Sequence, residues 1–191
     1  MARRPRGRQR DELVDLGHAR AAERRAGEIF RVVSAYTGGV SRVIREHGGS
    51  VVEFHGDGLL AAFGAPRELA GKERAAVEAA RAVVKVVDGG LLGDLGDVTL
   101  SVGVGIATGP SYVGTIQAID RRIWSVIGNT TNLASRLEAL TRTIDASIAV
   151  DATTRERAGS SASDFEAHLN VRVKGRDDAL AVYALPRGAA G

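Results

Sequence analysis

The sequence predicts an α+β fold, a sandwich whose largely antiparallel sheet is flanked by helices. Three observations predict it. Residues 48–64, GGSVVEFHGDGLLAAFG, read as two short strands folded back around Gly56-Asp57-Gly58. The stretches on either side repeat apolar residues at three- and four-residue spacing, the period of a helix. The remaining strand-like runs mix hairpins with helices instead of alternating strand and helix strictly.

Residues 11–46 carry the first helical pattern, with Ala22, Ile29, Val32, Val33, Tyr36, Val40, Val43 and Ile44 as its stripe. Gly38-Gly39 is expected to interrupt or kink it, and His47-Gly48-Gly49 to close it. In the hairpin, Val51, Val52 and Phe54 face Leu59, Leu60, Ala61 and Phe63, and the glycines can take the positive φ of a tight turn. Asp57 at the tip is by itself an ordinary turn former, since its side chain can bond its own backbone two residues on.

Residues 68–88 are expected to form the second helix, buried through Ala76, Ala80, Val83 and Val87. Residues 98–107, VTLSVGVGIA, alternate Val or Ile with Ser or Gly, which suits a strand packed closely on a neighbour. Residues 111–116 return as its partner. The segment 123–141 switches from strand to helix at Gly128-Asn129, with Asn129 or Thr130 as cap and Leu133, Leu137 and Leu140 as core stripe. A strand at 147–150, a short helix at 151–158 and strand-like runs at 169–173 and 180–184 complete the order, with no internal repeat.

The 191 residues suffice for one domain with a sizeable core, and 44% hydrophobic with 26% charged residues is an ordinary soluble composition. No apolar run reaches the length of a membrane span, no signal peptide is visible, and the chain is compatible with the cytoplasm. With no cysteine, disulfides and thiolate metal sites are excluded. Five of the 26 basic residues lie in residues 1–10, and the other 21 stand against 23 acidic ones. Residues 1–10 therefore read as a basic, disordered tail and 11–188 as the folded domain. That near-neutral domain argues against a nucleic-acid reader, which carries a basic face on the fold itself.

Asn132 and Arg136 are four residues apart and share one helix face at the edge of the leucine stripe. An amide and a guanidinium stacked there can grip an anionic or polar ligand, or be plain surface residues. Four stretches then fall in order: HGGSVVEFHGDGLLAAFGAP, VGVGIATGPSYVG, WSVIGNTTNLASRLEALT and VRVKGRDDALAVYAL. Together they resemble the successive signatures of class III nucleotidyl cyclases, over about residues 36–185.

The resemblance implies a ferredoxin-like α/β sandwich and a head-to-tail homodimer with two interfacial sites; no membrane partner is expected, because no apolar run is long enough to span one. It implies attack of the ribose 3′-hydroxyl of a nucleoside triphosphate on the α-phosphorus, with pyrophosphate leaving and two Mg2+ or Mn2+ ions assisting. Asp57 matches the second metal-binding aspartate, Asn132 the ribose-orienting residue, Arg136 the stabiliser of phosphate charge and Lys174 the lysine that reaches the polyphosphate.

The chain also departs from the pattern. The family's first metal aspartate lies in a hydrophobic first strand like F-x-D-I-x-G-F, which is missing or degenerate here. Leu13-Val14-Asp15-Leu16-Gly17 is the nearest match, and it makes Asp15 either a metal ligand or an exposed acid on a helix. In the base pocket, adenylate-type members carry lysine where Glu53 stands and aspartate where Ser125 stands. A carboxylate only accepts, so Glu53 suits the N1–H and exocyclic amine of guanine and would face adenine N1 with negative charge. Ser125 suits either base. GTP and ATP both stay open as substrates, since an altered adenylate enzyme would look the same. Arg121 and Arg122 are weaker phosphate-contact assignments because their spacing is one residue short, and His55 and His47 read as structural. Two other readings compete: a degenerate cyclase-homology module that dimerises or binds nucleotide without efficient catalysis, and a nucleic-acid-binding domain using the arginine arm.

Overall fold

The computed structural model describes residues 26–56, 58–88, 100–117, 122–172 and 179–189. The degenerate first strand and the basic tail expected from sequence lie outside these residues. The first described element is helix α1 (Ala26–Glu46). It runs unbroken through Gly38-Gly39, where an interruption was expected. The apolar stripe continues past the pair, with Val40, Val43 and Ile44 buried against Val83 and Val87 of helix α2 (Lys72–Asp88), and tertiary burial outweighs the weak helix propensity of glycine. The end of α1 is the expected glycine stop. Gly48 has φ +79°, its N–H donates to the Arg45 carbonyl at 3.0 Å, and the Gly49 N–H reaches the Ile44 carbonyl at 2.9 Å.

The hairpin forms as expected from β1 (Ser50–His55) and β2 (Gly58–Ala62). Gly56 supplies a positive φ of 61°, and Gly58 already pairs with His55 as the first residue of β2. Helix α2 starts four residues later than the sequence pattern suggested. The strand expected over 98–107 is regular only at β3 (Val104–Ile106), within described residues that begin at 100. A second hairpin pairs β4 (Tyr112–Gln117) with β5 (Arg122–Ile127), which leads into helix α3 (Asn129–Thr143). Its N-cap is Gly128 rather than Asn129 or Thr130, with no side-chain cap bond. The Thr130 hydroxyl donates instead to the Pro110 carbonyl at 2.8 Å and ties the helix to the turn before β4.

Strand β6 (Ala146–Asp151), helix α4 (Ala152–Ala158), a 3-10 turn (Gly159–Ala162), β7 (Glu166–Val171) and β8 (Leu180–Pro186) follow. Asp151 caps α4 by accepting from the Thr154 N–H at 3.1 Å, and also accepts from the Thr108 N–H at 3.2 Å. Among the described residues the strands form a four-stranded sheet in the order β3-β6-β8-β7 and two separate hairpins. Only the β3–β6 pairing is parallel, so the sheet is largely antiparallel as expected.

Strand alternation divides the core into two layers. Ile148 and Val150 face Val77, Ala80 and Val84 of α2, while Ala149 and Val182 face Leu133 and Leu137 of α3. Helices therefore cover both faces of the four-stranded sheet. Leu137 and Ile148 are fully buried, each stabilising the fold by roughly 1.5–3 kcal/mol relative to an exposed position.

Candidate active site

The register of the first hairpin aims two polar side chains together. Val51 pairs with Ala61, but Glu53 pairs with Leu60, so Val52 is an extra residue in a β-bulge. Val51, Leu59, Ala61 and Phe63 pack against the α1–α2 layer. The bulge turns Glu53 to the opposite face, with His55 two residues on. His55 Nε2 stands 2.8 Å from Glu53 Oε1, and the side chains are 68% and 37% exposed.

Helix α3 carries the other polar group. It lies close against β3 because Gly103 and Gly105 have no side chain: a Cβ on Gly103 would meet the Thr141 hydroxyl at 2.3 Å. Asn132 is exposed near the helix start, and its N–H points at the Gly128 carbonyl at 3.5 Å. Arg136 is half-buried one turn on, and makes no hydrogen bond or ion pair with another described residue. An uncommitted guanidinium there is available to an anion.

A cleft of about 1220 Å3 opens between these elements. Glu53, His55 and Asn132 all line it; Ser125 and Arg136 do not. Ser125 is half-buried on β5 opposite Gly114, and β5 lies against β1, the strand of Glu53. The cleft walls are two unbroken runs, residues 58–65 and 100–109. A strand that showed a face would contribute alternate residues; an unbroken run is a strand seen edge-on. Among the described residues β2 pairs only with β1 and β3 only with β6, so each presents one unpaired edge to the cleft. Val32, Val33 and Tyr36 of α1 and Ala79, Ala80 and Val83 of α2 form its apolar roof.

Of the residues singled out in the sequence, the structure thus brings Glu53 and Asn132 to one cleft and puts Ser125 and Arg136 beside it. Asp15, Asp57, Lys174 and Arg121 lie outside the described residues, as does the side chain of Arg122. Among the described residues no three His, Asp or Glu side chains cluster as a metal site would require. His47, read as structural, is so: its Nδ1 lies 2.8 Å from the Val43 carbonyl. His55, expected to be structural as well, instead pairs with Glu53. The sequence signal for this pair is the two-residue spacing on a strand, which puts both side chains on one face.

The shape and sequence of the chain are both similar to known proteins. The family model described as the adenylate and guanylate cyclase catalytic domain matches residues 17–186. The adenylate cyclase of Anabaena cylindrica is 31% identical over 165 residues, covering 82% of this chain and 32% of that protein. Adenylate cyclase 1 of Rhizobium meliloti is 28% identical over 163 residues, covering 82% of this chain and 24% of that one. The chain thus spans a third or less of the length of these relatives. Among solved structures, the guanylyl cyclase Cya2 superposes with a TM-score of 0.67 at 31% identity, covering 85% of this chain and 82% of that one. The adenylyl cyclase CyaB from P. aeruginosa superposes at 0.72 and 25% identity, covering 85% and 84%. The fold is the ferredoxin-like α/β sandwich of these domains.

Proposed function

Because the chain belongs to the family of adenylate and guanylate cyclase catalytic domains, we propose that it converts a nucleoside triphosphate, GTP before ATP, into the 3′,5′-cyclic nucleotide and pyrophosphate. The observation that carries this reading is the convergence of Glu53 and Asn132 on one cleft, with Arg136, which pairs with no other described residue, a turn away. Glu53 would accept from the base and Ser125 bond its edge. Asn132 would orient the ribose so that its 3′-oxygen faces the α-phosphorus, and the 3′ proton is lost to solvent. Arg136 would bind the charge that builds on the phosphate, and Lys174 the polyphosphate.

The base preference rests on Glu53. A carboxylate complements the two donors of the guanine edge and opposes adenine N1. The relatives divide, since Cya2 is named a guanylyl cyclase and the Anabaena protein an adenylate cyclase, at 31% identity each.

Asp57 and Asp15 would hold Mg2+ or Mn2+, for which hard carboxylate oxygens in a chain without cysteine are a fitting donor set. Two such ions, when bound, supply the positive charge that eases deprotonation of the 3′-hydroxyl and offsets the phosphates. The two unpaired edges in the cleft support the assignment of Asp15, because they leave room for one more strand. Leu13-Val14-Asp15-Leu16-Gly17 is the stretch before α1 with apolar residues to fill it. In the strand alternation, Val14 and Leu16 would face the apolar roof and Asp15 the opposite side.

A head-to-tail homodimer would complete the site. The exposed apolar side chains of the β4–β5 hairpin support a second copy there, with Tyr112, Ile116 and Ile127 at 86%, 48% and 56% exposure. Among the described residues no helix is long and apolar enough to cross a membrane. Residues 11–188 would act as this catalytic domain in the cytoplasm.

The test is purified protein with manganese, given GTP or ATP separately, with cyclic products resolved by chromatography. Cyclic GMP in excess is expected. Cyclic AMP in large excess would overturn the role of Glu53, and nucleotide binding without either product would replace the enzyme by a non-catalytic cyclase-homology module.

A further inference from the structure

We infer that His55 is a positioning residue for base selection: it holds the Glu53 carboxylate in the cleft, so that guanine is read by the pair and not by Glu53 alone. The inference rests on the reading of Glu53 as the residue that meets the base.

Three observations carry it. Their two-residue spacing puts Glu53 and His55 on one face of β1, opposite Leu60 and Gly58, and the bulge at Val52 turns that face away from the α1–α2 layer. The imidazole Nε2 lies 2.8 Å from one carboxylate oxygen, the distance of a charge-assisted hydrogen bond. Both side chains line the cleft that Asn132 also lines. No other described group bonds the Glu53 carboxylate.

The chemistry follows from what a lone glutamate lacks. Its side chain has three rotatable bonds, and on a half-exposed strand it samples many positions, so a base must fix it on binding and lose affinity in doing so. With Oε1 held by His55, that freedom is already removed. Oε2 and the second lone pair of Oε1 remain as acceptors. They match the adjacent N1–H and N2–H donors of guanine. Adenine offers only its N6 amine and sets the N1 lone pair against the carboxylate. A fixed carboxylate therefore favours GTP and rejects ATP more than a mobile one, which could swing away from adenine N1.

Two variants test this. His55→Leu removes the donor, and His55→Gln keeps an N–H at similar reach. kcat and KM are measured for each with GTP and with ATP, beside thermal melts. His55→Leu is expected to lower the GTP-to-ATP ratio of kcat/KM by about tenfold, with the change in KM for GTP larger than in kcat. His55→Gln is expected to recover most of that ratio. An unchanged ratio in a folded His55→Leu, or no recovery with glutamine, would overturn the inference while leaving the cyclase reading in place. A wild-type protein without turnover would overturn the catalytic reading instead. The ratio is then read from equilibrium binding of GTP and ATP, where an unchanged preference in His55→Leu again overturns the role of His55.

Discussion

Gly105 of β3 lies directly against the Ala134 carbonyl of α3: a Cβ on residue 105 would come 2.1 Å from that oxygen and 2.3 Å from the Glu138 nitrogen. Both contacts are to backbone, so neither can swing aside. Gly105→Ala is expected to cost about 3 kcal/mol and to lower turnover as well, since α3 carries Asn132 and Arg136. Gly38 is the control. It sits inside α1 with nothing within 4 Å of its added Cβ, and Gly38→Ala is expected to stabilise by roughly 0.5–1 kcal/mol. Calorimetric melts of both variants check the pair; equal melting temperatures would contradict the close packing of α3 on β3.

Arg136→Ala separates chemistry from stability. With no described partner to lose, the variant is expected to melt near the wild type. Its kcat is expected to fall by about 10²–10³, the usual loss for one stabiliser of transition-state charge. Near-normal turnover in the folded variant would remove Arg136 from the reaction.

Glu73 ties α2 to α4. Burial raises the pKa of its carboxyl, but its own backbone N–H, the Lys72 ammonium at 3.2 Å and the Arg157 guanidinium at 3.3 Å outweigh that and hold it below the usual range. A depressed carboxyl contributes stability that is present above its unfolded pKa and lost as pH falls through the folded one. The fold is therefore expected to weaken below about pH 4, and Glu73→Gln to flatten that acid limb. Denaturant titrations at neutral and acid pH measure it; equal acid losses in both proteins would exclude Glu73 as a cause.

Ser147 is fully buried in β6, and its hydroxyl has no hydrogen-bond partner among the described residues. Ser147→Ala removes an unsatisfied polar atom, and is expected to stabilise by about 1 kcal/mol. A higher urea midpoint at unchanged slope would show it. A lower midpoint would mean that the hydroxyl finds a partner after all.

Local chemistry made much of this fold legible in the sequence. The leucine stripe of α3, the glycine stop after Glu46, the hairpin around Gly56 and the close packing at Gly103 and Gly105 each follow from one residue's own properties. Tertiary context decided the rest. Gly38-Gly39 does not break α1 because the buried stripe runs on past it. Thr130 does not cap α3 because its hydroxyl is engaged by Pro110, twenty residues away. In the site, the helix spacing placed Asn132 and Arg136 on one edge, but only the structure shows that Asn132 alone of the two lines the cleft. The two-residue spacing puts Glu53 and His55 on one face, but which face that is depends on a register slip, and no periodicity in a single strand reports it.

The register slip at Val52 makes the hairpin's chemistry a matter of counting. In a strand, one residue more or less reverses the facing of everything beyond it up to the turn. Pairing Val52 with Leu60 in a regular ladder would therefore set Glu53 opposite Leu59, in the greasy layer beneath the helices, without altering a single functional group. The facing of Glu53 is thus a matter of register as much as of residue type. A slip of one, in a strand of six, turns that carboxylate from the cleft towards the core.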